Sequence, residues 1–76
     1  MSPKLPVVSG HELVRALERF GYIVVRQKGS HVRMRHPVNP GRLPITVPMH
    51  DEVAFGTLRR ILRDSGVSVE QLIAAL

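Results

Sequence analysis

His31 stands among residues that suit the cleavage of a phosphodiester bond. A neutral imidazole can take the proton of a ribose 2′-hydroxyl, and nearby cations can stabilise the charge that builds on the phosphate. Arginine also matches phosphate geometry with paired hydrogen bonds. The residues around the histidine that could hold a phosphate backbone are Arg26, Lys28, Gly29, Ser30, Arg33 and Arg35. A plain solvated histidine on the protein surface is the alternative interpretation.

The remaining histidines do not indicate a metal site. His31 and His36 are five positions apart, so a strand would place them on opposite faces, and His50-Asp51 lacks the ligand spacing of a zinc site. The chain has no cysteine, no Gly-rich phosphate loop and no Ser/His/Asp signature. We therefore expect no metal and no cofactor. His11 is expected in the first turn of a helix, His36 where it could touch phosphate, and His50 where it could orient the second helix.

The positive charge is concentrated in one stretch of the chain. Eleven Lys and Arg against six Asp and Glu give a net charge of +5. Residues 26–42 contain five of these cations and no carboxylate, so the rest of the chain is neutral. Arginines on an outer sheet face are often only solvated, but like charges on adjacent strands repel each other. A bound polyanion is the simplest reason to tolerate that repulsion, and phosphate backbones are the commonest such anion.

Capping patterns and hydrophobic periodicity predict the elements that position these residues. Ser9 with Glu12 and Ser68 with Gln71 fit the capping box that begins a helix. Runs of β-branched residues and strict alternation predict the strands. The expected order is a helix at residues 10–20, strands at 22–27, 31–36 and 45–47, a helix that begins between residues 52 and 57 and ends at Gly66, and a short final helix.

A two-residue turn at Lys28-Gly29 sets the expected register of the first hairpin. This register pairs Arg26 with His31 and continues outward along both strands. It predicts a core on one face of the hairpin, formed by Ile23, Val25, Val32 and Met34. It predicts a basic opposite face, formed by Tyr22, Val24, Arg26, His31, Arg33 and Arg35. A slip of one residue would bury the arginines, so the hydrophobic pattern favours this register.

Together these elements predict a single α+β domain over residues 1–76, with a three-stranded antiparallel sheet and helices packed on one face. A chain of this length has room for one modest core. No apolar run approaches the roughly 20 residues that span a membrane. Residues 1–10 lack the apolar stretch of a signal peptide. The expected location is therefore the cytoplasm.

Four ordered runs of the sequence resemble the HicA family of toxin mRNA interferases. They are LERFGY at residues 17–22, RQKGSH at 26–31, ITVPMH at 45–50 and GTLRRILR at 56–63. The match spans nearly the whole chain, and the runs together are more specific than the Gly-Ser-His block alone. The chain departs from the family pattern at residues 51–55, where a polar, lysine-bearing stretch is expected.

The resemblance implies a fold similar to the double-stranded-RNA-binding domain and a role as the toxin of a type II toxin–antitoxin system. Members of the family cleave mRNA and thereby arrest translation, and here we expect cleavage without a metal ion. Their essential histidine corresponds to His31, which would act as the general base or the general acid. A HicB antitoxin binds such a toxin and masks this site, and the pair reaches operator DNA only through the antitoxin.

Two other functions fit the same residues. One is a non-catalytic RNA-binding module that uses the same basic face, and the other is an interaction domain for an acidic protein. RNA fragments after incubation in EDTA would indicate the enzyme, and intact shifted RNA would indicate the binding module. The sequence also leaves open whether a second acid–base residue assists His31, with Tyr22 and Ser30 as the alternatives.

Overall fold

The computed structural model describes residues 4–76 and has the predicted order of elements. The elements are α1 (Gly10–Arg19), β1 (Ile23–Lys28), β2 (His31–Arg35), β3 (Ile45–Pro48), α2 (Phe55–Ser65) and α3 (Val69–Ala75). The three strands form one antiparallel sheet in the order β1-β2-β3. The predicted fold class is therefore confirmed: α+β, with the layout of a double-stranded-RNA-binding domain and a further short helix. No helix within residues 4–76 is long and apolar enough to cross a lipid bilayer.

The helix boundaries follow from local hydrogen bonds that the sequence specifies. Ser9 Oγ accepts a hydrogen bond from Glu12 N at 3.1 Å, and Glu12 Oε1 accepts one from Ser9 N at 2.9 Å. Ser68 and Gln71 make the same reciprocal pair at the start of α3. Gly66 ends α2 in the left-handed conformation. Both predicted capping boxes and this helix end are confirmed.

The helices lie on one face of the sheet, as predicted. α1 and α2 contact β3, and α3 packs against α1. The sheet contributes to the core the buried side chains of Val32, Met34, Ile45 and Val47. The helices contribute the fully buried side chains of Leu13, Leu17, Leu58 and Leu72. Because these side chains form the core, the inner face of β2 and β3 is closed to ligands and their outer face stays accessible.

The first hairpin turns one residue later than predicted. The turn is Gly29-Ser30, so His31 pairs with Lys28 rather than with Arg26. Gly29 has a φ of +57°, and a two-residue turn with glycine at its first central position matches the twist of the flanking strands. The predicted turn at Lys28-Gly29 is wrong because it would place a lysine at this left-handed position.

The edge strand β1 lies outside the core, contrary to the prediction. Ile23, Val24 and Val25 are 42%, 44% and 45% exposed. The pairing register shifts between Val24 and Arg26, which leaves Val25 in a bulge. The helices pack against β3, at the opposite edge of the sheet, and do not cover β1. The assignment of Ile23 and Val25 to the core is therefore wrong.

Tyr22 is buried and does not belong to the basic face. Only 2% of the residue is exposed, and its hydroxyl donates a hydrogen bond to Leu43 O at 2.7 Å. Burial raises the pKa of the Tyr22 hydroxyl above its ordinary value of 10.0. The prediction that placed Tyr22 beside the arginines is wrong because this residue precedes β1 and turns into the fold.

The loop between β2 and β3 is anchored to the end of α2. Leu43 N donates a hydrogen bond to Asp64 O at 2.8 Å. Arg42 Nη1 donates one to Ser65 O at 3.1 Å. These bonds, together with the Tyr22 hydroxyl on the same Leu43 residue, hold β3 beside α2.

Candidate functional site

Six of the seven residues predicted for the site line one depression on the outer face of the sheet. This depression, the basic pocket, has a volume of about 510 Å³ and is lined by Arg26, Lys28, Gly29, Ser30, His31, Arg33 and Thr46. Thr46 is the lining residue that sequence reasoning missed. Arg35 is the predicted residue that does not line the basic pocket.

Strand pairing decides which side chains face each other across the basic pocket. Lys28 pairs with His31, and Arg26 pairs with Arg33. On the other side of β2, Arg33 pairs with Thr46, and Arg33 Nη1 donates a hydrogen bond to the Thr46 hydroxyl at 3.0 Å. A guanidinium carries several N–H donors, so this bond orients Arg33 and leaves other donors for a ligand.

The cations of the basic pocket face one another with no carboxylate between them. None of the lining residues is acidic, and the ion pair found within residues 4–76 joins Arg63 to Asp64 on α2. Like charges directly opposite on paired strands destabilise a sheet by up to about 1 kcal/mol. An anion held between Arg26 and Arg33 would relieve this repulsion.

A second depression, the β3–α2 groove, shares one wall with the basic pocket. His31, Arg33 and Thr46 line both. The groove has a volume of about 430 Å³, and beyond β3 it is lined by His50, Ala54, Thr57, Arg60, Ile61 and Asp64. The sequence did not predict that α2 and His31 line one groove. No local pattern indicates this arrangement, because it arises only when α2 packs beside β3.

The other two cations of residues 26–42 lie apart from the basic pocket. Arg35 ends β2 and lines a shallow depression together with His36 and Arg42. The Arg42 guanidinium donates a hydrogen bond to the backbone carbonyl of Ser65, the last residue of α2. The concentrated charge seen in the sequence is therefore divided between a three-cation pocket and the far end of the sheet.

His36 is a structural histidine. Its Nδ1 accepts a hydrogen bond from Asn39 N at 2.9 Å, so Nε2 carries the proton that it donates to Phe20 O, also at 2.9 Å. The ring meets the Tyr22 ring edge-on, with centroids 5.3 Å apart. Both nitrogens are used within the fold, which contradicts the hypothesis that His36 touches phosphate.

The fold separates the histidines by position. His11, His31 and His50 are exposed. His31 and His50 line the β3–α2 groove, whereas His11 lies on α1 and lines neither depression. Among residues 4–76, no three His, Cys, Asp or Glu side chains are grouped so as to hold a metal ion.

The fold and the basic pocket together define a class of protein: a small α+β domain that presents a histidine among cations on the outer face of its sheet. The sequence model of one family, described as the HicA toxin of bacterial toxin–antitoxin systems, matches residues 10–67. Because this match covers more than half of the chain, the chain belongs to the HicA toxin family. No curated protein matches the chain. The protein is thus the toxin component of a toxin–antitoxin pair, and the family implies a HicB-type antitoxin as its partner.

Proposed function

We propose that this toxin is an endoribonuclease that cleaves mRNA, with His31 as the general base. The observation that carries the proposal is the basic pocket, where a histidine stands among three cations and no carboxylate. Such a site suits a polyanion whose reaction begins with the loss of a proton from a hydroxyl group. RNA offers both features, since a 2′-hydroxyl lies beside every phosphate.

The reaction is a transesterification within the RNA strand. The His31 imidazole removes the proton of the 2′-hydroxyl while the 2′ oxygen attacks the adjacent phosphorus. The bond from phosphorus to the 5′ oxygen of the next nucleotide breaks. The leaving 5′ oxygen takes up a proton as it departs. The products are a 2′,3′-cyclic phosphate and an RNA end that carries a 5′-hydroxyl, so water is not consumed in this step. The proposal includes no metal ion.

The other residues of the pocket hold the backbone and stabilise the charge of the transition state. Arg26, Lys28 and Arg33 are the phosphate-binding cations, and Arg33 is oriented for this by Thr46. The backbone N–H groups of Gly29 and Ser30 add donors at the turn. Arg35, at the end of β2, would contact the RNA backbone farther along the strand.

The test is the incubation of purified protein with RNA in the presence of EDTA. We expect fragments from the wild-type protein and a loss of about 10²- to 10⁴-fold in rate for His31→Ala, the range for removal of a general base. His11→Ala is the matched control, because His11 is an exposed histidine that lines neither depression. Circular dichroism would check that each variant is folded.

Three results would contradict the proposal. A folded His31→Ala protein that cuts RNA at the wild-type rate would exclude His31 as the base. Cleavage that disappears in EDTA and returns with a divalent cation would exclude the metal-free reaction. Intact RNA that is bound but never cut would indicate the non-catalytic RNA-binding module.

We also propose that the HicB-type antitoxin inhibits the toxin by covering the basic pocket. The support comes from β1, whose Ile23, Val24 and Val25 are exposed beside the pocket residues Arg26 and Lys28. An exposed apolar edge strand is a common site of pairing with another chain. An acidic antitoxin segment docked there would bury the valines and neutralise the cations in one contact.

A further inference from the structure

The proposed cleavage contains two proton transfers, and His31 accounts for one of them. The 5′ oxygen that leaves phosphorus is a poor leaving group unless it gains a proton, so a general acid is the second group such a site needs. Of the two alternatives from the sequence, Tyr22 is buried and its hydroxyl already donates to Leu43 O. Ser30 lies in the turn on the same side of the pocket as Lys28 and Gly29.

The structure places a second imidazole, that of His50, in the β3–α2 groove with His31. In the pairing of β2 with β3, His31 is opposite Pro48, and a hydrogen bond of 2.6 Å from Met49 N to Ser30 O continues the ladder. His50 follows two positions after Pro48, the last residue of β3. Both side chains line the β3–α2 groove.

A phosphodiester bound in the β3–α2 groove would be bordered by both rings. A general acid or base acts within roughly 2.6–3.2 Å of its proton partner. The attacking 2′ oxygen and the leaving 5′ oxygen lie on opposite sides of the phosphorus. One ring can therefore serve the first oxygen while the other serves the second, and Arg33, which also lines the groove, can bind the phosphate oxygens.

The backbone of His50 is held, whereas its ring is free to react. His50 O accepts a hydrogen bond from Gly10 N at 2.9 Å, at the start of α1. A Cβ on residue 10 would collide with Pro48 O, so glycine permits this close approach of α1 to the end of β3. Within residues 4–76 no protein group hydrogen-bonds the His50 ring, in contrast to His36.

We propose that His50 is the general acid of the cleavage reaction. As the P–O5′ bond breaks, the His50 imidazolium gives its proton to the 5′ oxygen, and the 5′-hydroxyl product leaves with that proton. His31 ends the step with the proton of the 2′-hydroxyl, and His50 ends it neutral. This proposal rests on the proposed function, because it names a second residue of the same reaction.

The test compares two RNA substrates that differ in one atom. One has the natural bridging 5′ oxygen at the cleavage site, and the other has sulfur there, which leaves as a thiolate without a proton. For His50→Ala we expect a loss of about 10²- to 10⁴-fold on the oxygen substrate and a rate close to that of the wild type on the sulfur substrate. His31→Ala should be slow on both, and His11→Ala should match the wild type on both.

The outcomes separate the two proposals. The proposed role of His50 would be overturned if the His50→Ala protein cut both substrates at the wild-type rate, or if it cut both equally slowly. Either result would leave the role of His31 in place. Rescue of His31→Ala by sulfur would also overturn the role of His50, since His31 would then be the acid. A wild-type protein that cuts neither substrate would defeat the proposed function itself. Circular dichroism shows whether each His50 variant is folded. If His50→Ala is misfolded, His50→Gln takes its place in the comparison.

Discussion

Under the proposed function, the salt dependence of RNA binding reports how many cations of the basic pocket contact phosphates. The His31→Ala protein is the starting point, since it should bind RNA without cutting it. The pocket supplies Arg26, Lys28 and Arg33. Each contact with a single strand adds about 0.7 to the slope of log affinity against log salt, so these three contacts, measured with a strand too short to reach Arg35, give a slope of about −2. A rise from about 50 to about 200 mM salt should then weaken binding roughly 20-fold.

Removal of Arg33 should lower that dependence by one contact. The slope of the Arg33→Ala protein should fall to about −1.4, which corresponds to roughly 7-fold weakening over the same salt range. The assay is the fluorescence anisotropy of a labelled single-stranded RNA titrated with protein at several salt concentrations. Both proteins carry the His31→Ala change, so cleavage does not disturb the measurement.

Arg59→Ala is the matched control for this experiment. Arg59 is an exposed residue of α2, it lines neither depression, and its replacement changes the net charge by the same amount. Its slope should stay at about −2, as no phosphate contact is lost. Equal slopes for Arg33→Ala and Arg59→Ala would refute the reasoning. The RNA would then respond to the net charge of the protein rather than to a defined pocket.

Two further predictions concern stability and the antitoxin. Burial raises the pKa of the Tyr22 hydroxyl above 10.0 in the folded chain. The stabilisation that the neutral hydroxyl gives the folded state is therefore complete below pH 10 and is lost as the pH rises past that value. The Tyr22→Phe protein should lose about 1 kcal/mol with the hydrogen bond to Leu43 O but show a shallower alkaline decline. Urea unfolding from about pH 8 to about pH 11 measures both effects, and parallel declines would contradict the assignment. Val25→Ser removes an exposed apolar side chain of β1 without changing the charge near the pocket, so it should weaken the complex with the antitoxin and leave cleavage by free toxin unchanged. Val38→Ser, at an 83% exposed loop position, should affect neither. Calorimetry that shows equal affinities for the two variants would exclude β1 as the docking strand.

The features that the sequence predicted correctly are those with a local physical cause. The capping boxes at Ser9 and Ser68 depend on residues three positions away, so no tertiary information is needed. The alternation of β2 is equally local. It places His31 and Arg33 outward and Val32 inward whatever strand lies beside it. The prediction that His31 and Arg33 lie on the outer face therefore holds, although the predicted hairpin register is wrong.

The errors concern features that tertiary packing decides. The run Ile23, Val24, Val25 has no alternation, so it does not reveal which side chain faces the helices. The outcome depends on the helices covering β3 and leaving β1 bare. A bulge at Val25 then changes the register within the strand. The β3–α2 groove was missed for the same reason, because His50 and Arg60 come to line one groove only after α2 has packed beside β3.

One short strand carries part of the core and, on its other face, residues of the proposed site. β2 has five residues and hydrogen-bonded neighbours on both sides, with Val32 and Met34 buried on one face and His31 and Arg33 on the other. A site on such a strand is held more firmly than one on a loop. The outer-face residues can also be changed independently of the core, since neither His31 nor Arg33 belongs to the hydrophobic core cluster. Substitutions at these positions can therefore change RNA cleavage without unfolding the chain, and this independence is what allows the proposed variants to report on chemistry.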